Sequence, residues 1–314
     1  MNLAINRLGP GAAEVLGLDC SRPLADDLFA AVRQAFRSCP VLVFRDQTLS
    51  AAKLAAFGRR FGPLEDYGAP LPAGAKPQTA ALRQIDTRET PDQRLYLSPD
   101  DPAVLVMTNE IRADSDPIAV IDNAETWHSD GSHKIEPYKA VILHAMRNPA
   151  SGGDTEFCDM NALYEALSPE AKRGLLGRYG IHQWSKSRNP RFVLDSSAWE
   201  EGERIAAAFP ERPQPLVFAD PETGRPHLYL SPRFTIRIEG LPSDSSRAIL
   251  EYLFALMEDP RFVYRHSWRE RDLVMWDNRR TNHRVRGYAA DDIRCRHRVT
   301  VSGSEPLVTF RASA

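Results

Sequence analysis

Short apolar runs of strand length recur along the chain, and they restrict the possible folds more than any other feature. They are VLVFRDQ (41–47), AVLVMTNE (103–110), KAVILHAMR (139–147), DTEFCDM (154–160), HLYLS (227–231), FTIRIEG (234–240), RDLVMWDN (271–278) and RHRVTVSG (296–303). Runs of this length and composition predict strands. Many short strands with a few long helices favour a β-rich core covered by helices, and a jelly-roll sandwich fits better than a doubly wound sheet. Neither GxGxxG nor GxxxxGK[ST] is present, so no dinucleotide or P-loop site is predicted.

Helical periodicity identifies the elements that cover this core. It occurs at 24–39, 50–62, 161–179 and 245–258. Ser50 can cap the second helix, and Gly62 with Pro63 can end it. Residues 68–103 contain prolines and polar residues with weak periodicity, which predicts a long loop or lid. The predicted fold class is therefore α+β with a mostly β core and flanking helices.

Composition excludes several classes of protein. The 314 residues are 42% hydrophobic and 26% charged, which is ordinary for a soluble globular protein. A formal net charge of −2 gives no electrostatic reason to expect nucleic acid or an anionic membrane as partner. No signal peptide and no membrane-length apolar run is recognisable, so we expect a cytoplasmic protein. The four cysteines are scattered without a CxxC pair, which predicts reduced thiols.

The stretch TWHSDGSH (126–133) carries the first chemical signal, because His128 and Asp130 stand two positions apart. In an extended backbone such residues point the same way, so both can reach one ion. A non-haem Fe(II) site uses two neutral imidazoles and one carboxylate on one face of the metal. The best candidate for the second imidazole is His283, in the polar turn RRTNH after LVMWDN. The alternative is a turn histidine beside an aspartate that caps a neighbouring amide.

Further residues favour a site for a dicarboxylate co-substrate. Arg294 and Arg298 lie eleven and fifteen residues after His283, and a planar guanidinium captures a carboxylate bidentately. Thr155, in SGGDTEF, offers a hydroxyl to the same carboxylate. Trp127 and Trp276 flank the two halves of the site as predicted apolar walls. Each of these residues taken singly is more often structural, and their joint spacing is what favours the site.

The chain resembles the taurine / 2,4-dichlorophenoxyacetate dioxygenase family of Fe(II)- and 2-oxoglutarate-dependent enzymes over most of its length. VLVFRDQTLS and FGRRFGPLE are similar to the family's N-terminal strand and helix, and WHSD to its first two metal ligands. SGGDTEFCDMNALYEALS, FVYRHSWRERDLVMWDNRRTNH and RCRHRVTVSG resemble the segments with the threonine, the distal histidine and the C-terminal arginine. The resemblance implies His128, Asp130 and His283 as catalytic metal ligands, with Thr155, Arg298 and its helper Arg294 binding 2-oxoglutarate.

The resemblance also implies an activity and an architecture. The family binds Fe(II), 2-oxoglutarate and O2, and it oxidises a C–H bond of a small, usually anionic substrate while producing succinate and CO2. Its fold is a double-stranded β-helix, expected here as a single domain over 1–314 with 68–122 as a lid over the active site. Dimers or tetramers are usual, so a homo-oligomer with a small-molecule substrate is expected. His133, Arg233 and Phe234 are the candidate substrate contacts, with a solvated strand-end charge as the alternative for Arg233.

Departures from the family pattern leave the substrate open. Ala124 stands where the taurine enzyme has an asparagine, and Gly131 follows the HxD where that enzyme has a valine. The chain leans toward the aryloxyalkanoate enzymes, while a natural-product tailoring oxygenase and an alkylsulfonate dioxygenase remain alternatives. Asp130 argues against a related halogenase, which lacks the carboxylate ligand. A zinc hydrolase would not explain Arg298 and Thr155, and a non-catalytic binding protein would not need the intact ligand set.

Overall fold

The computed structural model describes residues 3–67, 93–121, 124–183 and 210–311. The strands in these ranges are β1 (Ala4–Gly9), β2 (Ala12–Leu16), β3 (Val41–Phe44), β4 (Gln93–Leu97), β5 (Leu105–Thr108), β6 (Ala119–Ile121), β7 (Ala140–Arg147), β8 (Thr155–Asp159), β9 (Tyr179–His182), β10 (Arg212–Pro215), β11 (Val217–Ala219), β12 (Pro226–Leu228), β13 (Thr235–Ile238), β14 (Val263–His266), β15 (Leu273–Asp277), β16 (Thr281–Val285) and β17 (Cys295–Val301). The helices are α1 (Asp26–Ser38), α2 (Ala51–Arg59), α3 (Met160–Glu165), α4 (Pro169–Leu175) and α5 (Ser243–Leu256). The prediction of a mostly β protein with a few helices is confirmed.

The described strands form one large sheet and three small ones. The large sheet has nine strands in the order β1-β2-β3-β15-β7-β17-β5-β4-β6. A second sheet has the order β14-β8-β16, and the remaining sheets are β10-β9-β13 and β11-β12. In the centre of the large sheet, β15 pairs with β3 on one side and β7 on the other, so Trp276 lies opposite both Val41 and Val141.

Both faces of the central strands are covered, which explains why they read as continuous apolar runs. Leu273 and Met275 of β15 belong to a core cluster that includes residues of α1 and α2. The alternate residues Val274 and Trp276 belong to a cluster on the opposite face, with Phe157 of β8. Because successive side chains of a strand point to opposite faces, one strand contributes to both clusters. The sheet β14-β8-β16 thus packs against one face of the large sheet, and the helices α1 and α2 pack against the opposite face.

The predicted helix over 161–179 is wrong in one respect, because the structure divides it into α3 and α4. Ser168 lies between them and its side chain accepts a hydrogen bond from the amide of Ala171, which starts α4. Pro169 occupies the first turn, where its missing N–H does no harm. A residue before proline avoids the helical region, so the chain cannot continue as one helix here. The Ser50 cap of α2 is confirmed by the bond that its hydroxyl accepts from the amide of Lys53.

The predicted loop over 68–103 differs from the structure at its C-terminal end. Residues 93–97 form β4, which pairs with β5 and β6 in the large sheet. Gln93 is almost fully buried there, because its amide bonds to Tyr288 and Arg294 inside the protein. The polar composition of this segment suggested a loop, but the side chain of Gln93 makes its hydrogen bonds inside the protein, so the segment forms a buried strand. Residues 68–92 lie outside the described ranges, and the lid remains a prediction.

The cysteines are free thiols, as predicted. Cys20, Cys39 and Cys158 are buried and Cys295 is half-buried. Burial raises the pKa of Cys20 and of Cys158, which keeps both protonated and unreactive. No helix in the described part of the chain has the length and apolar character needed to span a bilayer.

Candidate metal centre

The backbone brings the predicted metal ligands together through a short bridge between two chain segments. The amide of His128 donates to the carbonyl of His283 at 3.0 Å, and the amide of His283 donates to the carbonyl of His128 at 2.8 Å. His283 lies inside β16, so its predicted position in a turn is wrong. The run TNHRV pairs along its whole length with β8. Cross-strand partners set this conformation, and they cannot be read from the local polar composition.

The three ligand candidates present their atoms to a common point. One ligand atom each from His128, Asp130 and His283 lies within 4.8 Å of the other two. Nε2 of His128 is 3.7 Å from Oδ1 of Asp130, and Nε2 of His283 is 3.5 Å from Oδ2 of the same carboxylate. The imidazole ring centres are 4.1 Å apart. A set of three protein ligands is what a metal that must also bind a co-substrate requires.

The protonation states fit a divalent metal. Nδ1 of His128 donates to the carbonyl of Thr126 at 2.8 Å, so Nε2 is the ring nitrogen that faces Asp130 as the candidate ligand atom. Burial, followed by the neighbouring His128, lowers the pKa of His283 well below its usual value, so its imidazole is neutral. Burial by itself would raise the pKa of Asp130, but the charge of the Arg298 guanidinium lowers it below its ordinary value. Two neutral imidazoles and one carboxylate are the donor set of a ferrous facial triad.

Asn278 holds the backbone of Asp130 in place. Its Oδ1 accepts from the amide of Asp130 at 3.0 Å, and its Nδ2 donates to the carbonyl of Asp130 at 2.8 Å. The Ser129 hydroxyl donates to the carbonyl of Asn278. Asn278 is fully buried in the loop between β15 and β16. The loop that precedes His283 therefore also positions the carboxylate ligand.

Arg298 lies on β17 beside the carboxylate ligand. Its Nη2 donates to Oδ2 of Asp130 at 3.0 Å, and its Nε donates to the hydroxyl of Thr300 at 3.1 Å. The hydroxyl of Tyr67 donates to Thr300 at 2.6 Å. Burial would lower the pKa of Arg298, but the charge of Asp130 raises it above its ordinary value. A fixed cation thus borders the ligand group, where a second carboxylate could bind.

Thr155, the first residue of β8, is buried and bonded to a tryptophan. Its Oγ1 accepts from Nε1 of Trp268 at 3.0 Å. The guanidinium carbon of Arg296 lies 4.5 Å from the centre of the Trp268 ring system. Arg296 is fully buried, and its Nε and Nη2 have no partner among the described residues. The threonine hydroxyl is therefore fixed in position by a stacked tryptophan–arginine pair.

Arg294 is a second buried cation on the same segment. Its Nη1 donates to Oε1 of Gln93 at 3.4 Å, and Gln93 in turn donates to the hydroxyl of Tyr288 at 2.6 Å. The Nε of Arg294 has no hydrogen-bond partner within the described ranges. Burial lowers the pKa of Arg294. A buried guanidinium with unused donors is suited to bind an anionic ligand.

The candidate substrate contacts cluster around Phe234, close to the ligand His128. The Phe234 ring centre is 6.4 Å from that of His128 and 5.9 Å from that of His133. The guanidinium carbon of Arg233 is 5.6 Å from the Phe234 ring centre. Burial lowers the pKa of His133 to about 4, so this imidazole is neutral at pH 7. Aromatic, cationic and neutral polar groups are thus available to a ligand.

The two predicted apolar walls differ in their surroundings. The ring centre of Trp276 lies 4.8 Å from that of His283, and Phe157 lies 6.2 Å from it. Trp127 belongs to a separate core cluster, and its Nε1 donates to Glu258 at 2.9 Å. Trp276 therefore shields the distal histidine, while Trp127 anchors the segment that carries His128.

Sequence reasoning missed four residues that support the site: Asn278, Trp268, Arg296 and Tyr67. Arg296 had a readable signal, since it stands two positions before Arg298 on the same strand and alternate residues of a strand share a face. Asn278 directly follows β15, where a polar residue can organise the next turn. Trp268 and Tyr67 are distant in sequence from Thr155 and Thr300, and no local pattern indicates those contacts.

Comparison with known proteins agrees with this geometry. The family described as "Taurine catabolism dioxygenase TauD, TfdA family" matches residues 4–301. The fold and the ligand group together define a non-haem iron dioxygenase, and the chain belongs to this family. The predicted family and enzyme class are confirmed, and the predicted cofactors Fe(II), 2-oxoglutarate (also called alpha-ketoglutarate) and O2 are confirmed at the level of the family.

Individual relatives cover nearly the whole chain. An alpha-ketoglutarate-dependent 2,4-dichlorophenoxyacetate dioxygenase of Cupriavidus pinatubonensis is 33% identical over 291 residues, covering 92% of this chain and 93% of that protein. A pentalenolactone F synthase of Streptomyces arenae is 32% identical over 289 residues, covering 87% and 86%. The crystal structure of AAD-2 in complex with Mn(II) and N-oxalylglycine has a TM-score of 0.74 and 30% identity, covering 98% of this chain and 100% of that chain.

Proposed function

We propose that this protein is an Fe(II)- and 2-oxoglutarate-dependent dioxygenase that oxidises a C–H bond of a small carboxylate-bearing molecule. One observation carries the proposal: His128, Asp130 and His283 converge, and Arg298 borders them at 3.0 Å from Asp130. In the overall reaction, 2-oxoglutarate and O2 are consumed, succinate and CO2 are released, and one oxygen atom enters the substrate C–H bond. When bound, ferrous iron supplies the activation of O2 that couples these two oxidations.

The residues around the ligands have distinct proposed roles. Thr155, Arg294 and Arg298 bind 2-oxoglutarate, as the family resemblance implies. Arg298 contacts Asp130, so its guanidinium is suited to a carboxylate near the metal, whereas the unused donors of Arg294 suit a carboxylate farther away. Trp276 and Phe157 exclude water from the side of His283.

A substrate with an aromatic or apolar body and an anionic group suits the remaining contacts. Phe234 offers a ring face, and Arg233 and Arg298 offer positive charge near Asp130. The relatives that are named as 2,4-dichlorophenoxyacetate and (S)-phenoxypropionate dioxygenases act on molecules of this kind. An aryloxyalkanoate-like carboxylate is therefore the first candidate substrate.

A tailoring reaction in biosynthesis is the second candidate function. The pentalenolactone F synthase of Streptomyces arenae supports it, because its identity to this chain is close to that of the 2,4-dichlorophenoxyacetate dioxygenase. Sulfonates form a third class for testing, since a sulfonate dioxygenase is also among the relatives.

Finer features of the architecture are part of the proposal. The packing of β14-β8-β16 against the nine-stranded sheet supports a double-stranded β-helix. The single domain over 1–314, the lid over 68–122, the homo-oligomer and the cytoplasmic location stay predictions. Sedimentation of the purified protein would test the oligomer.

Two measurements test the function separately. Anaerobic addition of Fe(II) and 2-oxoglutarate should produce a weak visible charge-transfer band in the wild type and none in Asp130→Ala. Succinate release should then be screened with aryloxyalkanoates, alkylsulfonates and lipophilic carboxylic acids. A missing band would refute the cofactor assignment, whereas a band with no succinate from any carboxylate would refute only the substrate class.

A further inference from the structure

A second cationic cavity lies beside the loop that positions the metal ligands. It has a volume of about 170 Å³, and its described lining includes Asp277, Arg279 and Arg280 but none of the three metal-ligand candidates. The same loop contributes Asn278 to the backbone of Asp130. The cavity therefore borders the ligand-bearing loop without belonging to the metal centre.

Positive charge dominates the lining. Its cationic side chains, six in number, are those of Arg33, Arg37, Arg60, Lys139, Arg279 and Arg280, against three acidic ones. Glu222 is the most exposed of the three acids, and it forms ion pairs with Arg33, Arg37 and Lys139. One carboxylate is thus shared among three cations, which leaves the cavity with an excess of positive charge.

The two buried acids of the lining, Asp277 and Asp220, already have hydrogen-bond and ion-pair partners. Oδ1 of Asp277 accepts from the amides of Arg279 and Arg280, and its Oδ2 accepts from Nε of Arg280 at 2.8 Å. Asp220 also pairs with Arg280, at 3.5 Å, and its Oδ1 accepts from the amides of Glu222 and Thr223. Arg280 is therefore the buried cation that these acids neutralise.

Arg279 shares the charge of Asp277 with Arg280 and has no ion pair of its own among the described residues. It is 6% exposed, its Nε has no hydrogen-bond partner, and no ion pair joins its guanidinium to any acid in the described ranges. A buried guanidinium with an unpartnered donor and only a shared counter-charge is unfavourable, so such a group favours an anion beside it. Since Arg279 lines the cavity, the cavity is where that anion would bind.

We propose that this cavity is a binding site for a phosphate-type tetrahedral oxyanion, distinct from the 2-oxoglutarate site. Guanidinium groups bind such oxyanions with paired hydrogen bonds, and the volume has room for one together with water. A bound dianion would link Arg33 and Arg37 of α1 to Arg279 of the loop. The ion would thereby tie a helix on the outside of the large sheet to the backbone that holds Asp130.

Thermal unfolding of the full-length chain in inorganic phosphate tests the site. At constant ionic strength set with sodium chloride, about 20 mM phosphate should raise the Tm of the wild type by about 3 °C, as expected for a Kd near 1 mM. The shift should disappear in Arg279→Met and shrink in Arg33→Gln, whose exposed position makes misfolding no concern. Phosphate titration followed by ³¹P line broadening gives the same Kd independently.

Two control variants make the result decisive. Arg298→Gln removes the cation at the metal centre, and Arg173→Gln removes a surface cation on α4; both should keep the full phosphate shift. If Arg298→Gln abolished the shift while Arg279→Met and Arg33→Gln kept it, the anion would bind at the metal centre and the proposal would be overturned. An equal shift in sodium chloride, or none in the wild type, would overturn it as well.

Discussion

Replacing Asn278 by alanine should weaken metal binding although Asn278 is not a metal ligand. The change removes two side-chain hydrogen bonds to the backbone of Asp130, at 3.0 and 2.8 Å, and a third to the carbonyl of Tyr138 at 3.3 Å. Each neutral hydrogen bond contributes about 1 kcal/mol, so the unfolding free energy should fall by about 3 kcal/mol. Groups that orient a metal ligand typically change metal affinity by about 10- to 100-fold, and a loss in that range is expected.

Urea unfolding gives the stability change, and Mn(II) titration followed by electron paramagnetic resonance gives the metal Kd. The matched control is Asn282→Ala, another buried asparagine, which donates to the carbonyl of Leu230 at 2.9 Å and does not touch Asp130. It should lose about 1 kcal/mol and keep the wild-type metal Kd. The reasoning fails if Asn278→Ala binds Mn(II) as tightly as Asn282→Ala does.

The remaining predictions concern catalysis and pH. His128→Ala should abolish succinate release, and normal turnover would show the metal assignment to be wrong. Arg298→Gln should raise the KM for 2-oxoglutarate by about 10- to 100-fold, because it removes charged hydrogen bonds; a rise confined to the KM of the other substrate would reassign this arginine. Trp268→Phe removes the donor to Thr155 and should raise the same KM about 5-fold, with unfolding free energy as the check on folding. Burial lowers the pKa of His182 from 6.5 to about 3, so its contribution to stability is complete above about pH 6.5 and declines as the pH falls toward 3, by about 1.4 kcal/mol per unit; urea unfolding of His182→Gln should show a shallower decline.

Local sequence patterns predicted the structure correctly where the interacting residues belong to the same short segment. Ser50 caps α2 through an amide three residues away. The continuous burial of β3 and β15 follows from their composition, since uninterrupted apolar runs need cover on both faces. His128 and Asp130 share a face because they stand two positions apart. These inferences need only the geometry of a short stretch of backbone.

Patterns failed where distant segments decide the conformation. His283 lies in a strand because TNHRV pairs with β8, more than a hundred residues earlier. Residues 93–97 form β4 because Gln93 finds polar partners on other elements. The helix over 161–179 is divided at Pro169, and here the sequence did contain the signal that the periodicity obscured.

The sequence by itself therefore determined the chemistry available to this protein: two histidines, a carboxylate, a threonine and a set of arginines in a strand-rich chain. Only the tertiary structure decided their arrangement. It showed that Asn278 holds Asp130, that Arg298 contacts the carboxylate ligand, and that Arg279 faces a separate cavity. The physical reason is that a side chain's charge and hydrogen-bonding groups are intrinsic to it, whereas its partners are set by packing between segments far apart in the chain.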